Sequence, residues 1–179
     1  MKREIRIAGF GGQGVILAGF IVGKAACVFG DYNAVQSQSY GPEARGGAAR
    51  SEVIISDERI GYPRPTNVDF FVAMAQEAFD TYRMDIRDDA IIVADVDLIP
   101  KHDIGKPIYK VRAQKIAEEL GNKIVTNIAM VGIMTGIYDI FEEEAMRKAV
   151  LDSVPGRFKD LNLNAFNNGL EAGKNAKLE

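Results

Sequence analysis

The sequence predicts an α/β fold, a three-layer domain with a mixed, mostly parallel sheet spanning residues 1–179. Strand and helix patterns alternate along the chain, the order that builds βαβ units. Residues 68–74 and 90–95 are dominated by apolar runs, Phe70–Met74 and Ala90–Ala94, as expected of strands buried on both faces of a parallel sheet. The first strand pattern, Ile5-Arg6-Ile7-Ala8, runs into Gly9-Phe10-Gly11-Gly12-Gln13-Gly14-Val15, a glycine-rich exit from strand to helix.

Taken in order, residues 4–9 read as a strand and 15–29 as a helix ended by Gly30. Residues 32–38 read as a second strand, and 40–50 as a loop rich in glycine and charge. Residues 51–56 form a further strand, with Ser56-Asp57-Glu58 as a candidate hairpin turn. Two prolines break regular structure across residues 61–65. After the strand at 68–74 comes a helix over 76–84, then the strand at 90–95 and a short one at 108–111. Residues 113–120 suit a helix stopped by Gly121, and 123–126 a last strand. Three helices complete the chain, an apolar one over 128–141, a charged amphipathic one over 142–154 and a final one over 163–178. The first and last of these carry more apolar surface than one sheet face needs, so contact with other chains is expected there.

Composition narrows the function. The net charge of -3 argues against a general nucleic-acid binder, and no apolar run is long enough to span a bilayer. Met1-Lys2-Arg3 leads directly into the first strand pattern without a signal segment, so a cytoplasmic protein is expected. The single cysteine, Cys27, cannot supply a disulfide framework or hold an iron–sulfur cluster. It lies within an apolar helical stretch and is expected in the core. The single histidine, His102, makes a poor metal site without a second ligand nearby.

The glycine loop suits an anionic ligand, because its backbone can approach closely and the following helix presents amides and a positive dipole end. A dinucleotide would require an acid about 20 residues on, at the end of the second strand. Here Asp31 precedes that strand and the next carboxylate is Glu43, which disfavours NAD or flavin. A ligand-free packing turn is the other reading. The second unusual segment is Ser39-Tyr40-Gly41-Pro42-Glu43-Ala44-Arg45-Gly46-Gly47-Ala48-Ala49-Arg50-Ser51-Glu52. Arg45 and Arg50 could each bind phosphate or carboxylate in a fork, or be neutralised by Glu43 and Glu52. The loop follows the second strand, beside the glycine loop at the carboxyl ends of the strands, where ligands bind in such folds.

Together, Gly9–Val15 and Ser39-Tyr40-Gly41-Pro42-Glu43-Ala44-Arg45-Gly46-Gly47 resemble the gamma subunit of 2-oxoacid:ferredoxin oxidoreductases. The second loop is most similar to the 2-oxoglutarate branch, with the small subunit of indolepyruvate:ferredoxin oxidoreductase as nearest competitor. The similarity continues through Val125-Thr126-Asn127-Ile128-Ala129-Met130-Val131-Gly132. The resemblance implies a domain like domain III of pyruvate:ferredoxin oxidoreductase. It also implies an enzyme that converts a 2-oxoacid and coenzyme A to acyl-CoA and carbon dioxide. Thiamine diphosphate, Mg2+ and [4Fe-4S] clusters are then expected on alpha, beta and ferredoxin-like delta subunits, with electrons passing to ferredoxin. On this chain the resemblance points to Gly11, Gly12, Gln13, Gly14, Arg45, Gly46, Gly47 and Asn127 for coenzyme A, with Arg50 a weaker candidate. Asn127 is equally placed to be an N-cap, and Asp95 and Asp97 are expected to be turn or cap residues.

Overall fold

The computed structural model describes residues 1–40, 47–139 and 142–179. Its elements are β1 (Lys2–Phe10), α1 (Val15–Val28), β2 (Asn33–Tyr40), β3 (Ala48–Ser56), β4 (Val68–Ala73), α2 (Gln76–Tyr82) and β5 (Ile86–Asp95). There follow β6 (Tyr109–Val111), α3 (Ala113–Glu119), α4 (Thr126–Ile137), α5 (Glu143–Ser153) and α6 (Lys159–Lys174). The strands form a six-stranded sheet in the order β2-β3-β1-β4-β5-β6. β1 pairs parallel with β4, as do β4 with β5 and β5 with β6, while β3 lies antiparallel to both neighbours. The mixed, mostly parallel sheet is therefore as expected.

β3 differs from its expected role. Its hairpin partner is β2, which precedes it, and its other neighbour is β1. Asp57 ends the strand beside the N-terminal ammonium. The apolar run Val53-Ile54-Ile55 needs cover on both faces, and a central position provides it where an outer hairpin would not.

The layers are unequal. Ile5, Ile7, Phe70 and Val72 point into a large core with α1, α3, α4, α5 and α6. Ala8, Phe71, Ala73, Ile92 and Ala94 face a smaller core closed by α2 and the segment carrying Ile99 and Ile108. Beside that smaller core Arg6 is buried, with Nε donating to Glu52 at 2.7 Å and one terminal nitrogen to the Tyr82 and Met84 carbonyls at 2.8 and 2.7 Å. Charge-assisted bonds to both a carboxylate and carbonyls offset the cost of burying the ion.

Residues 123–126 are not a strand. Lys123–Val125 form a 3-10 turn that leads straight into α4. Asn122 caps it, its side chain accepting from the Ile124 amide at 3.1 Å, and Thr126 Oγ1 donates to the Lys123 carbonyl at 2.7 Å. A four-residue run has no period of its own, and these local side-chain bonds decide its conformation. Cys27 is exposed on α1, contrary to the expected core position. α1 is apolar around its whole circumference, so its pattern does not reveal which side turns inward.

The apolar surplus of the last helices also has a cause within the chain. α4 and α6 cross at glycines: a Cβ on Gly132 would meet the Phe166 carbonyl, and one on Gly169 the Ala129 carbonyl. Gly136 and Gly173 repeat the arrangement one turn on, against Leu170 and Ile133. Thr126–Thr135 of α4 are buried within this chain, with α6 packed closely against one side. The expected helix end at Phe141 lies outside the described residues.

Candidate anion site at the glycine loop

The glycine loop leaves the carboxyl end of β1 where the chain order reverses, since β1 leads leftward to β2 and β3 and the next strand, β4, lies on its other side. Such a switch point opens a crevice between neighbouring loops. Each glycine answers a separate demand. A side chain on Gly9 would strike Val15 and Gln13. Gly12 turns at φ +103 and Gly14 at φ +75, in the region that L side chains rarely adopt. Gly14 is also the N-cap of α1, and a Cβ there would overlap the Asn127 side chain.

The loop is held from three directions. Gln13 Oε1 accepts from the Phe10 amide at 2.6 Å, and Gln13 Nε2 donates to the Met74 carbonyl beyond β4 at 2.9 Å. The Gly11 amide donates to the Gly47 carbonyl at 2.9 Å, which ties this loop to the start of β3. Asn127, buried in the first turn of α4, donates from Nδ2 to the Gly14 carbonyl at 3.2 Å. It therefore supports the start of α1 rather than capping its own helix.

The structure thus gathers Gly11, Gly12, Gln13, Gly14, Gly47 and Asn127. Arg45 and Gly46 lie outside the described residues. Arg50 is elsewhere: it pairs in register with Ala8, on the α2 side of the sheet. Its guanidinium lies 4.9 Å from the Tyr82 ring centroid and its Nε 3.7 Å from Glu52.

Several of these side chains are therefore engaged internally, and the donors that remain are backbone ones. The Gly12 and Gly14 amides take no partner among the described residues. The first three amides of α1 have no acceptor within the helix. No acidic residue stands in that first turn to offset the positive dipole end.

A cleft of about 260 Å³ opens beside Gly12 and Gln13, lined also by Gln114, Lys123, Ile124 and Thr126. Lys123 reaches Glu118 at 2.8 Å across an exposed surface, where an ion pair is weak and easily exchanged. The Lys123 ammonium holds the Glu118 carboxyl below its usual range. These lining residues were missed by sequence reading. Only the Asn122…Thr126 capping pattern could have signalled the turn that places Lys123 and Ile124.

Asp95 and Asp97 are engaged within the fold. Asp95, at the end of β5, accepts from the Gln114 and Asp97 amides at 2.9 and 3.1 Å and so caps α3 from a distance. Burial pushes its carboxyl above the ordinary range. Asp97 pairs with Arg112 at 2.6 Å. Both act as the turn and cap residues expected of them.

The geometry also accounts for the missing dinucleotide acid. In a nucleotide fold the acid-bearing strand adjoins the first, whereas here antiparallel β3 occupies that place and β2 is one strand further out, roughly 5 Å beyond it.

A family profile for pyruvate ferredoxin/flavodoxin oxidoreductase matches residues 4–172. The chain belongs to this family. It is 47% identical to the 2-oxoglutarate synthase subunit KorC of Methanocaldococcus jannaschii, over 97% of this chain and 95% of that one. Among solved structures, a keto/oxoacid ferredoxin oxidoreductase gamma subunit from Geobacter sulfurreducens superposes with a TM-score of 0.90 at 40% identity, covering 99% of both chains. The 2-oxoglutarate:ferredoxin oxidoreductase of Magnetococcus marinus, solved with 2-oxoglutarate, coenzyme A and succinyl-CoA bound, shares the fold. Its TM-score is 0.85 at 24% identity, over 99% of this chain and 32% of that one. The family's fold therefore occurs both as a separate chain and as one third of a longer polypeptide.

Proposed function

We propose that this chain is the gamma subunit of a 2-oxoglutarate:ferredoxin oxidoreductase and that its glycine loop holds a phosphate of coenzyme A. The enzyme would convert 2-oxoglutarate, coenzyme A and oxidised ferredoxin to succinyl-CoA, carbon dioxide and reduced ferredoxin. The observation that carries the coenzyme A assignment is the set of amides at Gly12, Gly14 and the start of α1 without a partner among the described residues, near a cleft lined by Gly12, Gln13 and Lys123. Backbone donors at a helix start suit a phosphate, because dipole and hydrogen bonds act on the same charge. Lys123 would then exchange Glu118 for the anion, and Arg45 would add a charge-assisted bond from the neighbouring loop.

The chemistry itself is assigned to companions. One cysteine in the whole sequence cannot ligate a [4Fe-4S] cluster. Among the described residues no group of three His, Cys, Asp or Glu could hold a metal. Thiamine diphosphate, Mg2+ and the clusters would sit on alpha, beta and delta subunits, supplying decarboxylation and electron transfer. This chain's residues bind and orient the acyl acceptor. No helix among the described residues is long and apolar enough to cross a membrane.

The test is kinetic, in the reconstituted complex. Lys123→Ala and Arg45→Ala should each raise the KM for coenzyme A by about tenfold to a hundredfold, the equivalent of the roughly 1.5–3 kcal/mol of a hydrogen bond to a charged group. The KM for 2-oxoglutarate should hold. Unchanged coenzyme A kinetics in both variants would reject the assignment. A second reading has one observation in its favour: Gln13 and Asn127 both bond the chain's own backbone, as a loop built only for close packing would require. On that reading the loop holds no ligand.

A further inference from the structure

The two edges of the sheet are finished differently. β6 is three residues long, and the C-terminus lies along it: Tyr109 bridges Leu178 antiparallel, and Ile108 and Glu179 exchange backbone hydrogen bonds at 2.8 and 3.1 Å. At the opposite edge β2 runs for eight residues with β3 on one side and, among the described residues, no strand on the other. It reads Asn-Ala-Val-Gln-Ser-Gln-Ser-Tyr, without the charge or proline that usually blunts an open edge.

The helix flanking that edge is equally unguarded. Gly19 and Gly23 of α1 press on Ser51 and Val53 of β3, and Gln36 of β2 donates to the Ile16 carbonyl at 2.9 Å. This orientation turns Phe20, Cys27 and Val28 outward, with Phe20 47% and Val28 60% exposed. The one charged residue of α1, Lys24, is bent onto Asp152 of α5 at 2.6 Å. A helix apolar on all sides belongs in an interior, and the described residues cover only part of it.

We propose that the β2 edge and the outer face of α1 are a self-association surface, on which a second copy of the chain docks across a two-fold axis. A dyad sets residues near it against their own copies, so an unpaired charge there would repel itself. Among the described residues this surface carries none. Antiparallel pairing of β2 with the partner's β2 continues the sheet and brings both α1 helices onto one face. The strand is roughly 27 Å long, and with the helix above it each copy would contribute on the order of 500 Å². The total of about 1,000 Å² meets the lower bound for a specific interface. The inference is independent of the coenzyme A reading.

Sedimentation velocity of the full chain at about 100 µM, above the roughly micromolar Kd of a weak specific complex, should give twice the chain mass. Phe20→Glu and Phe20→Lys should each be monomeric, and their equimolar mixture should recover the dimer as opposite charges meet across the axis. Gln38→Lys, which alters the strand and not the helix, should also give a monomer, with thermal melts confirming that each variant folds. A monomeric wild type overturns the proposal, as do variants that all remain dimeric. It is also overturned if companion subunits dissolve the wild-type dimer and fail to bind Phe20→Glu, which would assign the face to them.

Discussion

In the turn between β1 and α1, Gly12 has nothing within 4 Å of where a Cβ would stand, whereas at the α4–α6 crossing four glycines each face backbone at less than contact distance. The same residue serves opposite purposes in these two regions. In the loop glycine supplies a backbone conformation and leaves amides open to the outside. At the crossing it supplies proximity, so that two helices bury each other where bulkier residues would hold them apart. Gly14 stands between the two cases, with a positive φ and the Asn127 side chain against it. Glycine content therefore marks both a candidate ligand site and a packing seam, and only the neighbours tell them apart.

Substitution at each region separates these roles. The largest effect is expected at the crossing. Gly169→Ala should cost about 3 kcal/mol, the upper end for overpacking because the obstacle is the Ala129 backbone. A circular-dichroism melt should show Tm lower by about 9 °C, with the KM for coenzyme A unchanged below the transition. An altered KM would mean that the seam and the loop are coupled.

Gly14→Ala should cost about 2 kcal/mol from the left-handed backbone and the overlap with Asn127. Asn127→Ala alone should cost about 1 kcal/mol for the lost bond to the Gly14 carbonyl. The double variant should fall short of the sum by roughly 0.5–1 kcal/mol, since removing Asn127 makes room for the new methyl. Full additivity in denaturant titrations would show that Asn127 does not bear on the loop.

The smallest stability effect is expected at Gly12→Ala, about 1 kcal/mol from its φ of +103 alone, because no atom opposes the side chain. Its signature should instead be kinetic, a several-fold rise in the KM for coenzyme A, as the turn presents its amides differently. A large loss of stability with normal kinetics would place the loop with the packing seam.

Much of the architecture was readable from residue patterns. β4 announces a buried parallel strand by its apolar run Phe70–Ala73, and the glycine loop announces the strand-to-helix exit. The companion loop ending at Gly47 was legible as a neighbour, and the Gly11–Gly47 hydrogen bond joins the two. The readings that failed were those in which local pattern is silent. Lys123–Val125 is too short to carry a period, α1 is apolar on every side, and the glycines of α6 lie forty residues from those they meet on α4.

Residue order alone sets the alternation of elements, the position of the glycine turn and the inability of one cysteine to carry a cluster. These depend on backbone conformation and composition, which are local properties. Long-range packing sets the rest: that β3 separates β2 from β1, that Gln13 and Asn127 bind the chain's own backbone, that Lys123 reaches the cleft, and that α6 packs against α4. Each depends on which distant segments share a face of the sheet, and that choice is made by burial and close packing summed over the whole core.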